Sequence, residues 1–192
     1  MVPCILLAAG ASTRMGRPKA LLTTGGKTFI RKVLEDLRDG GASSAAVVIR
    51  PGQPEIAAEV SRVGFGQAVE NPRPDEGQLS SLLVGLDAVD RPDVDGVLVT
   101  LVDVPTIGAA SVRALLERAR ASTSPVLRAV HGGRHGHPVL FKRELFDALR
   151  DADPALGAKD VLRRVTVEDV EVTEPGVVMD IDTPADYDRL PR

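Results

Sequence analysis

The residues most able to do chemistry begin with a short basic loop near the start of the chain. An apolar run leads into this loop, which carries two glycines and three cations, namely Gly10, Gly16, Arg14, Arg17 and Lys19. Glycine can adopt positive φ and lets backbone N–H groups approach a ligand. Cationic side chains donate charge-assisted hydrogen bonds to phosphate oxygens. The spacing matches neither a dinucleotide-binding loop nor a P-loop, so it predicts a different phosphate cradle, with a surface loop of incidental cations as the alternative.

Three aspartates further along could hold a metal ion beside that loop. Asp103 follows a nearly all-apolar run, and a proline two residues later stops the run there. Asp180 and Asp182 lie near the end of the chain and share one face if their segment is extended. Carboxylate oxygens suit Mg²⁺, so we predict a site that combines Asp103 with Asp180 or Asp182. The competing interpretations are a turn or N-cap role for Asp103 and a helix-capping role for Asp182 or Thr183.

Two further stretches carry polar groups. Gly77, Ser80 and Ser81 could hydrogen-bond a base edge, although a serine before an apolar run is equally an N-cap. All three histidines lie between positions 131 and 137 in a glycine-rich hairpin. A transition-metal site there lacks cysteine ligands, so we expect the hairpin to line a substrate pocket, with His137 as the contact. No serine or cysteine has an evident base beside it, so covalent catalysis is not supported.

The composition excludes several classes of function. Of the 192 residues, 43% are hydrophobic and 27% are charged, which is typical of one globular domain, here residues 1–192. Only 3% are aromatic, Trp is absent and the net charge is −3, so no nucleic-acid partner is expected. The single cysteine excludes an intrachain disulfide framework. We find no signal peptide and no apolar run near the ~20 residues of a membrane span, so we expect a cytoplasmic protein without membrane contact.

The elements that must position these residues follow from alternating apolar and amphipathic stretches. Strand–helix alternation through the first two-thirds of the chain indicates a mostly parallel sheet with helices on both faces. Ligands bind such sheets beyond the carboxyl ends of the strands, where both the Gly10 loop and Asp103 fall. The predicted strands are 4–9, 45–49, 67–70, 96–102, 126–130, 138–141, 165–172 and 177–180, and the predicted helices are 28–39, 53–62, 79–89, 109–121, 143–151, 158–164 and 184–189.

Four stretches together resemble the MobA-like nucleotidyltransferases, and within them the molybdenum-cofactor cytidylyltransferase branch. The first, at 7–19, reads Leu-Ala-Ala-Gly-Ala-Ser-Thr-Arg-Met-Gly-Arg-Pro-Lys and is highly specific. The others are Asn-Pro at 71–72 with Gly-Gln-Leu-Ser-Ser at 77–81, Val-Asp-Val-Pro at 102–105, and Gly-His-Pro-Val-Leu-Phe at 136–141 with Asp-Ile-Asp-Thr-Pro at 180–184. The resemblance implies a three-layer α/β/α Rossmann-like fold with a small antiparallel portion, and dependence on Mg²⁺.

The resemblance also implies roles for individual residues. Ala8, Ala9 and Gly10 would meet the base and ribose of a nucleotide. Arg14 and Lys19 would bind its triphosphate, and Ser81 would lie near the base. Asp103 and Asp182 would hold Mg²⁺, and His137 would face the acceptor. The full nucleotide-binding set is Leu7, Ala8, Ala9, Gly10, Arg14, Lys19, Asn71, Gly77, Ser80, Ser81 and Asp103, and the catalytic set is Lys19, Arg14 and Asp103.

The implied function is transfer of a nucleoside monophosphate from an NTP to a phosphorylated acceptor of the molybdopterin type, with release of pyrophosphate. The sequence Ala8-Ala9-Gly10 resembles the cytidylyl-transferring relatives more than the guanylyl-transferring ones, which favours CTP over GTP as the substrate. A molybdoenzyme or its chaperone is a further expected partner. Val102 and Val104 depart from the family pattern, which usually has Gly before the Asp. Two alternatives stay open: nucleotidyl transfer to a sugar or polyol phosphate, and a non-catalytic nucleotide- or molybdopterin-binding carrier.

Overall fold

The computed structural model describes residues 1–190, except for the side chain of Arg14. Within this range the strands are β1 (Cys4–Leu7), β2 (Thr23–Thr24), β3 (Lys27–Thr28), β4 (Ala45–Ile49), β5 (Gly66–Glu70), β6 (Gly96–Leu101), β7 (Val126–His131), β8 (Arg134–Lys142) and β9 (Val167–Glu171). The α-helices are α1 (Phe29–Gly40), α2 (Pro54–Val63), α3 (Gln78–Val89), α4 (Ala109–Ala121), α5 (Phe146–Arg150), α6 (Ala158–Leu162) and α7 (Pro184–Tyr187). No helix in the described range is long and apolar enough to cross a membrane.

The first helix shows how local sequence sets these bounds. The Thr28 hydroxyl accepts a hydrogen bond from the Arg31 N–H and so caps the start of α1. Gly41, at φ 101°, ends the helix in the left-handed conformation that glycine adopts without strain. Apolar residues at helical spacing between these ends are fully buried, namely Phe29, Ile30, Val33, Leu34 and Leu37.

The main sheet has the order β5-β4-β1-β6-β8-β7-β9. The pairs β4–β5, β1–β4, β1–β6 and β7–β9 are parallel, whereas β8 runs antiparallel to both of its neighbours. A separate antiparallel hairpin joins β2 to β3. The prediction of a mostly parallel α/β sheet with a small antiparallel portion is therefore confirmed.

Helices cover both faces of the sheet, which makes three layers. One apolar cluster joins α1, α2 and α4 to alternate residues of β1, including Cys4 and Leu6. The other joins α3, α5 and α6 to the intervening residues, including Ile5 and Leu7. All four side chains of β1 are buried, as expected for a central strand that is covered on both sides.

The central strands bring two distant segments to one edge of the sheet. Leu7, the last residue of β1, lies opposite Leu101, the last residue of β6. Because the two strands are parallel and end together, the Gly10 loop and Asp103 leave the sheet side by side. The strand order also reverses at β1, because β4 and β5 lie on one side of it and β6 lies on the other. Sheets of this kind bind ligands in the crevice at such a reversal.

Three predicted elements differ from the structure. Residues 177–180 form no strand, because Pro175–Val178 is a 3₁₀ turn whose Gly176 packs directly against the backbone oxygen of Thr106. The strand predicted at 138–141 begins at Arg134, so the glycine-rich loop shrinks to a Gly132-Gly133 turn. The helix predicted at 143–151 is a 3₁₀ turn followed by α5. The β2–β3 hairpin was not predicted, and the other boundaries shift by up to two residues, as helix and strand ends commonly do.

Candidate active site

A cleft of about 360 Å³ opens at the shared end of β1 and β6. Its walls come from the loop after β1, the start of α3, the end of β6 and the segment before α7. Nine of the residues predicted from sequence line this cleft, namely Leu7, Ala8, Ala9, Gly10, Lys19, Gly77, Ser81, Asp103 and Asp182. The Gly10 loop and Asp103, which were predicted to meet because both follow strand ends, therefore line the same cleft.

An ion-pair triad lies at the floor of the cleft. The Nζ atom of Lys19 donates hydrogen bonds to Oδ2 of Asp103 at 3.0 Å and to Oδ1 of Asp182 at 2.6 Å. The Lys19 side chain is only 12% exposed, whereas Asp182 is 44% exposed. Burial disfavours the charged ammonium, but the hydrogen bonds to the two carboxylates outweigh it and raise the pKa of Lys19. Lys19 is therefore a fully charged group at neutral pH.

Asp103 has one oxygen left over. Its Oδ1 atom is buried and has no hydrogen-bond partner among the described residues. A buried carboxylate oxygen without a partner is costly, and a cation or a ligand donor would satisfy it. The described residues contain no group of three or more His, Cys, Asp or Glu that could hold a metal ion alone. The donor set fits Mg²⁺-type binding, which uses one or two carboxylates and completes its shell with substrate phosphates.

In the segment before α7, the helix cap and the carboxylate that faces the cleft are two different residues. Thr183 caps α7, and its side chain and that of Asp186 form a reciprocal capping box. Asp182 is thereby left to bond Lys19, and the Ile181 N–H donates to the Asp103 carbonyl at 2.8 Å. Asp180 lines a different cavity. The geometry thus brings Asp182, and not Asp180, onto the same ammonium as Asp103.

The basic loop reaches its shape in a way that sequence reasoning missed. Positive φ falls on Ser12 (51°) and Gly16 (66°), while Gly10 keeps an ordinary φ. The Ser12 hydroxyl accepts a hydrogen bond from the Lys19 N–H at 3.1 Å, which closes the loop. A methyl group added at Gly10 would meet open space, so this position leaves room for a ligand. The side chain of Arg14 lies outside the described residues, so its predicted triphosphate contact stays a prediction.

Asn71 and Ser80 do not line the cleft but support its wall. The Asn71 amide is 1% exposed and donates to the hydroxyls of Ser80 and Ser81, both at 2.9 Å. Its carbonyl oxygen accepts from the Arg73 N–H. These bonds hold the loop 71–77 against the start of α3, where Ser81 faces the cleft. Asn71 and Ser80, both predicted to bind nucleotide, therefore support the cleft through Ser81 and the loop, and their nucleotide contacts stay a prediction.

A second cavity of about 550 Å³ adjoins the first and shares Leu7, Gly77, Gln78 and Leu101 with it. Its inner wall is aliphatic and aromatic, and it includes Leu82, Val99, Val139, Phe141 and Leu162. Three cations and two histidines also line it, namely Arg128, Arg134, Lys159, His135 and His137. The cavity therefore combines an apolar wall with a cationic rim.

The two cavities meet near a group of titratable side chains. Burial lowers the pKa of His137, whose Nδ1 lies 3.4 Å from the Val99 carbonyl. Desolvation and the charge of Asp103 raise the pKa of Asp180 in the second cavity. His137 therefore presents a neutral imidazole at neutral pH, which suits a hydrogen-bonding contact better than an ionic one.

Several residues that line or support the two cavities were missed from sequence. Arg50 follows β4 at the same edge, donates to the Ala9 carbonyl at 3.3 Å and pairs with Asp75 at 2.8 Å. The rule that located Gly10 also applies to Arg50, so this residue could have been found. Lys159 gave no usable signal, because its place in the second cavity depends on how α6 packs, whereas Arg134 belongs to the hairpin that was expected to line a substrate pocket.

The chain matches the family described as MobA-like NTP transferase domain over residues 4–170. It belongs to the MobA-like NTP transferase family. The resemblance to the MobA-like family that was inferred from the four motifs is thereby confirmed.

Relatives of this MobA-like protein carry different names. The nicotine blue oxidoreductase of Paenarthrobacter nicotinovorans is 29% identical over 201 residues, covering 98% of this chain and 97% of that protein. The bifunctional protein GlmU of Xanthobacter autotrophicus is 30% identical over 164 residues, which cover 83% of this chain. The chain spans only 36% of that GlmU and 23% of the GlmU of Azorhizobium caulinodans. A molybdenum cofactor guanylyltransferase of Rhizobium meliloti is 53% identical over 36 residues, 19% of this chain and 16% of that protein.

Solved structures share the fold of the MobA-like domain. Rv0371c of Mycobacterium tuberculosis superposes with a TM-score of 0.84 at 26% identity, covering 98% of this chain and 96% of that one. A complex of the same protein with manganese superposes with a TM-score of 0.78 at 27% identity, covering 98% and 97%. A CMP:2-keto-3-deoxy-manno-octonic acid synthetase with CTP, at 18% identity, a TM-score of 0.79 and coverage of 98% and 95%, supports the fold alone.

Proposed function

We propose that this protein transfers a nucleoside monophosphate, CMP in preference, from an NTP to the phosphate of a molybdopterin-type acceptor. The single observation that carries this proposal is the triad of Lys19, Asp103 and Asp182 at the joint edge of β1 and β6. It lies in a cleft lined by the small residues Ala8, Ala9 and Gly10 and by larger side chains such as Ile56 and Leu101. A second cavity with a cationic rim adjoins this cleft. The whole chain, residues 1–192, would act as one catalytic domain.

The step itself is a substitution at the α-phosphorus. An oxygen of the acceptor phosphate forms a bond to that phosphorus, the bond to the bridging oxygen of the β-phosphate breaks, and pyrophosphate leaves with the electron pair. The acceptor oxygen is already anionic, so no side chain need remove a proton. The chain's task is to align the two anionic substrates and to offset their charge.

The residues of the cleft divide this task. Lys19 offers an ammonium to the triphosphate, and the loop around Ser12 and Gly16 offers backbone N–H groups. Asp103 and Asp182 would hold a divalent cation, Mg²⁺ by preference, which would supply further neutralisation of phosphate charge. Among the described residues the buried Oδ1 of Asp103 has no hydrogen-bond partner, which supports this assignment. A similar structure is a complex with manganese, which supports a divalent cation in this protein.

The choice of CTP rests on the methyl group of Ala9. Ala8 and Ala9 are each only 5% exposed and both line the cleft. Arg50 holds the Ala9 carbonyl, so this wall is rigid. A side chain at position 9 narrows the cleft relative to glycine, and a narrower cleft favours a pyrimidine over a purine.

The choice of acceptor rests on the second cavity. Phe141 and Val139, both nearly buried, form part of a wall that suits the flat face of a ring system. Arg134 and Lys159 on the rim suit an attached phosphate. A polyol phosphate would instead leave hydroxyl groups against aliphatic side chains, where they find no hydrogen-bond partners. His137, in the same cavity, would contact the acceptor as a neutral group.

The test is pyrophosphate release from purified protein with each of the four NTPs, in the presence of Mg²⁺ or Mn²⁺. Each NTP is offered with molybdopterin, with a polyol phosphate, and without an acceptor. We expect release with CTP and molybdopterin, and its loss in Asp103→Asn. Asp95→Asn is the matched control, because Asp95 lies at the opposite end of β6 and pairs with the N-terminus.

Other outcomes of the same assay point to the competing functions. Pyrophosphate release with a polyol phosphate, and not with molybdopterin, would mean that the acceptor is a polyol phosphate. Tight molybdopterin binding without release under any condition would favour a carrier. The full-length relative named as an oxidoreductase makes redox turnover the other competing activity, and a reaction that proceeds without pyrophosphate release would favour it.

A further inference from the structure

We infer that the Lys19 ammonium stands in for the divalent cation in the nucleotide-free protein and must leave before that cation binds. The inference rests on the proposed function for the identity of the metal ligands. Its physical basis is the contact of one ammonium nitrogen with Oδ2 of Asp103 and Oδ1 of Asp182 at once.

The two cations compete for the same pair of carboxylates. The Asp103–Lys19–Asp182 contacts, at 3.0 and 2.6 Å, take up one oxygen from each carboxylate. A divalent ion held between the two carboxylates would face an ammonium at close range, in a site where the lysine side chain is only 12% exposed. Like charges repel strongly where water is largely excluded. Both cations therefore cannot occupy the space between Asp103 and Asp182 together.

The displaced ammonium has a natural destination. The Lys19 backbone is held by the Ser12 hydroxyl, so the side chain pivots from a fixed point in the loop that surrounds the phosphate cradle. The triphosphate provides anionic oxygens there, and an ammonium that left the carboxylates without such a partner would stay buried and unpaired. Release of Lys19 is therefore favourable only when nucleotide is present.

The exchange makes metal binding depend on the nucleotide. In the free protein the Lys19 ammonium offsets part of the charge of Asp103 and Asp182 and occupies the space between them, so the site takes up a divalent ion weakly. When the triphosphate takes the ammonium, both carboxylates become available to the ion. Such coupling between two ligands is reciprocal and commonly changes affinity by a factor of ~5 to ~150.

The test measures Mn²⁺ binding to the nucleotide-free protein by the loss of the free Mn²⁺ signal in electron paramagnetic resonance. We expect weak binding by the wild type and binding at least about tenfold tighter by Lys19→Met, which keeps the chain length and removes the ammonium. Thermal unfolding gives a second readout, because an ion that binds only the folded state raises Tm. Mn²⁺ should raise the Tm of Lys19→Met more than that of the wild type.

Matched variants separate displacement from a general charge effect. Lys159→Met removes the same charge from the neighbouring cavity and should leave Mn²⁺ affinity within about twofold at 0.15 M salt, where exposed charges are screened. Lys19→Arg keeps a cation on the carboxylates and should not bind Mn²⁺ tighter. Adding Asp103→Asn to Lys19→Met should abolish the gain. If Lys19→Met fails to fold, Lys19→Gln replaces it.

Equal Mn²⁺ affinity in the wild type and in both neutral Lys19 variants would overturn the inference. So would a gain of the same size in Lys159→Met. The proposed function fails by a different measurement, because it is judged on pyrophosphate release by the wild-type protein. If Lys19→Met binds Mn²⁺ more tightly but the wild type shows no nucleotidyl transfer, the exchange of cations is supported and the proposed function is contradicted.

Discussion

The two adjoining cavities differ in how their charges are arranged. In the first cleft, Lys19 is bonded to two carboxylates before any ligand arrives, in a largely buried position. In the second cavity, Arg134 bonds only a backbone carbonyl, and neither it nor Lys159 has a carboxylate partner among the described residues. The cation at the floor of the first region is therefore already paired with carboxylates, whereas the second region has cations that an anionic ligand would pair with.

The supporting elements differ in the same sense. The first cleft is built where the buried central strands β1 and β6 end, so its positions are set by the core of the sheet. The second is closed by the segment 153–157 and the short helix α6. The Asp160 carboxylate in α6 accepts hydrogen bonds from the Asp153 N–H and from Arg164, which connects the segment to the helix. From this difference we expect the transfer step to depend on the first region and the binding of the acceptor to depend on the second.

The strongest test of this division is Asp103→Asn. We expect kcat/KM for pyrophosphate release to fall about a hundredfold or more, because one charge contact in such a site contributes ~3 kcal/mol to the transition state. Asp180→Asn, in the second cavity, should cost less than about tenfold, which is under 1.4 kcal/mol. Steady-state kinetics on both folded variants measures the ratio. Equal losses would mean that the metal assignment to Asp103 and Asp182 is wrong.

The wall of the first cleft should depend on Asn71. Asn71→Ala leaves the loop 71–77 without three side-chain hydrogen bonds of a residue that is 1% exposed. Loss of buried hydrogen bonds costs ~1–3 kcal/mol in the free energy of unfolding, which urea denaturation measures. Ser80→Ala, at a less buried hydroxyl, should cost less than Asn71→Ala. The reverse order would contradict the supporting role assigned to Asn71.

The role of the second region can be tested at Arg134 and Lys159, the two cations without a carboxylate partner among the described residues. Arg134→Ala and Lys159→Ala should each raise the acceptor KM by about tenfold, the equivalent of one hydrogen bond to a charged group. The KM for the NTP should stay within about twofold, since both residues lie outside the first cleft. Arg113→Ala, on the exposed face of α4, is the charge-matched control. An increase in the KM for the NTP alone would assign these cations to the nucleotide instead.

The last prediction concerns Ala9→Gly, which should change only the choice of base. Removing this methyl group should lower the CTP-to-GTP ratio of kcat/KM by about tenfold, because one methyl group in a pocket contributes ~1–3 kcal/mol to discrimination. The ratio is measured in a single assay with both nucleotides in competition, so loss of overall activity does not affect it. An unchanged ratio would move base selection away from the loop after β1.

Much of the first cleft was predictable because it depends on local rules. Buried strands end in small or charged residues, and parallel neighbours deliver those residues to one edge. This reasoning located the Gly10 loop and Asp103 without knowledge of the packing. It failed at residues 177–180, where an apolar stretch resembled a strand. There the close approach of Gly176 to the Thr106 backbone fixes a 3₁₀ turn instead.

The sequence by itself determined the α/β class, the family, the basic loop and the candidate status of Asp103. Only the tertiary structure decided between Asp180 and Asp182 as the partner of Asp103 on Lys19, and only it revealed the second cavity. The reason is that these contacts join residues far apart in the chain: Lys19 and Asp182 are 163 positions apart. Local spacing carries no information about such a contact, which depends on the packing of the last segment against the end of β6.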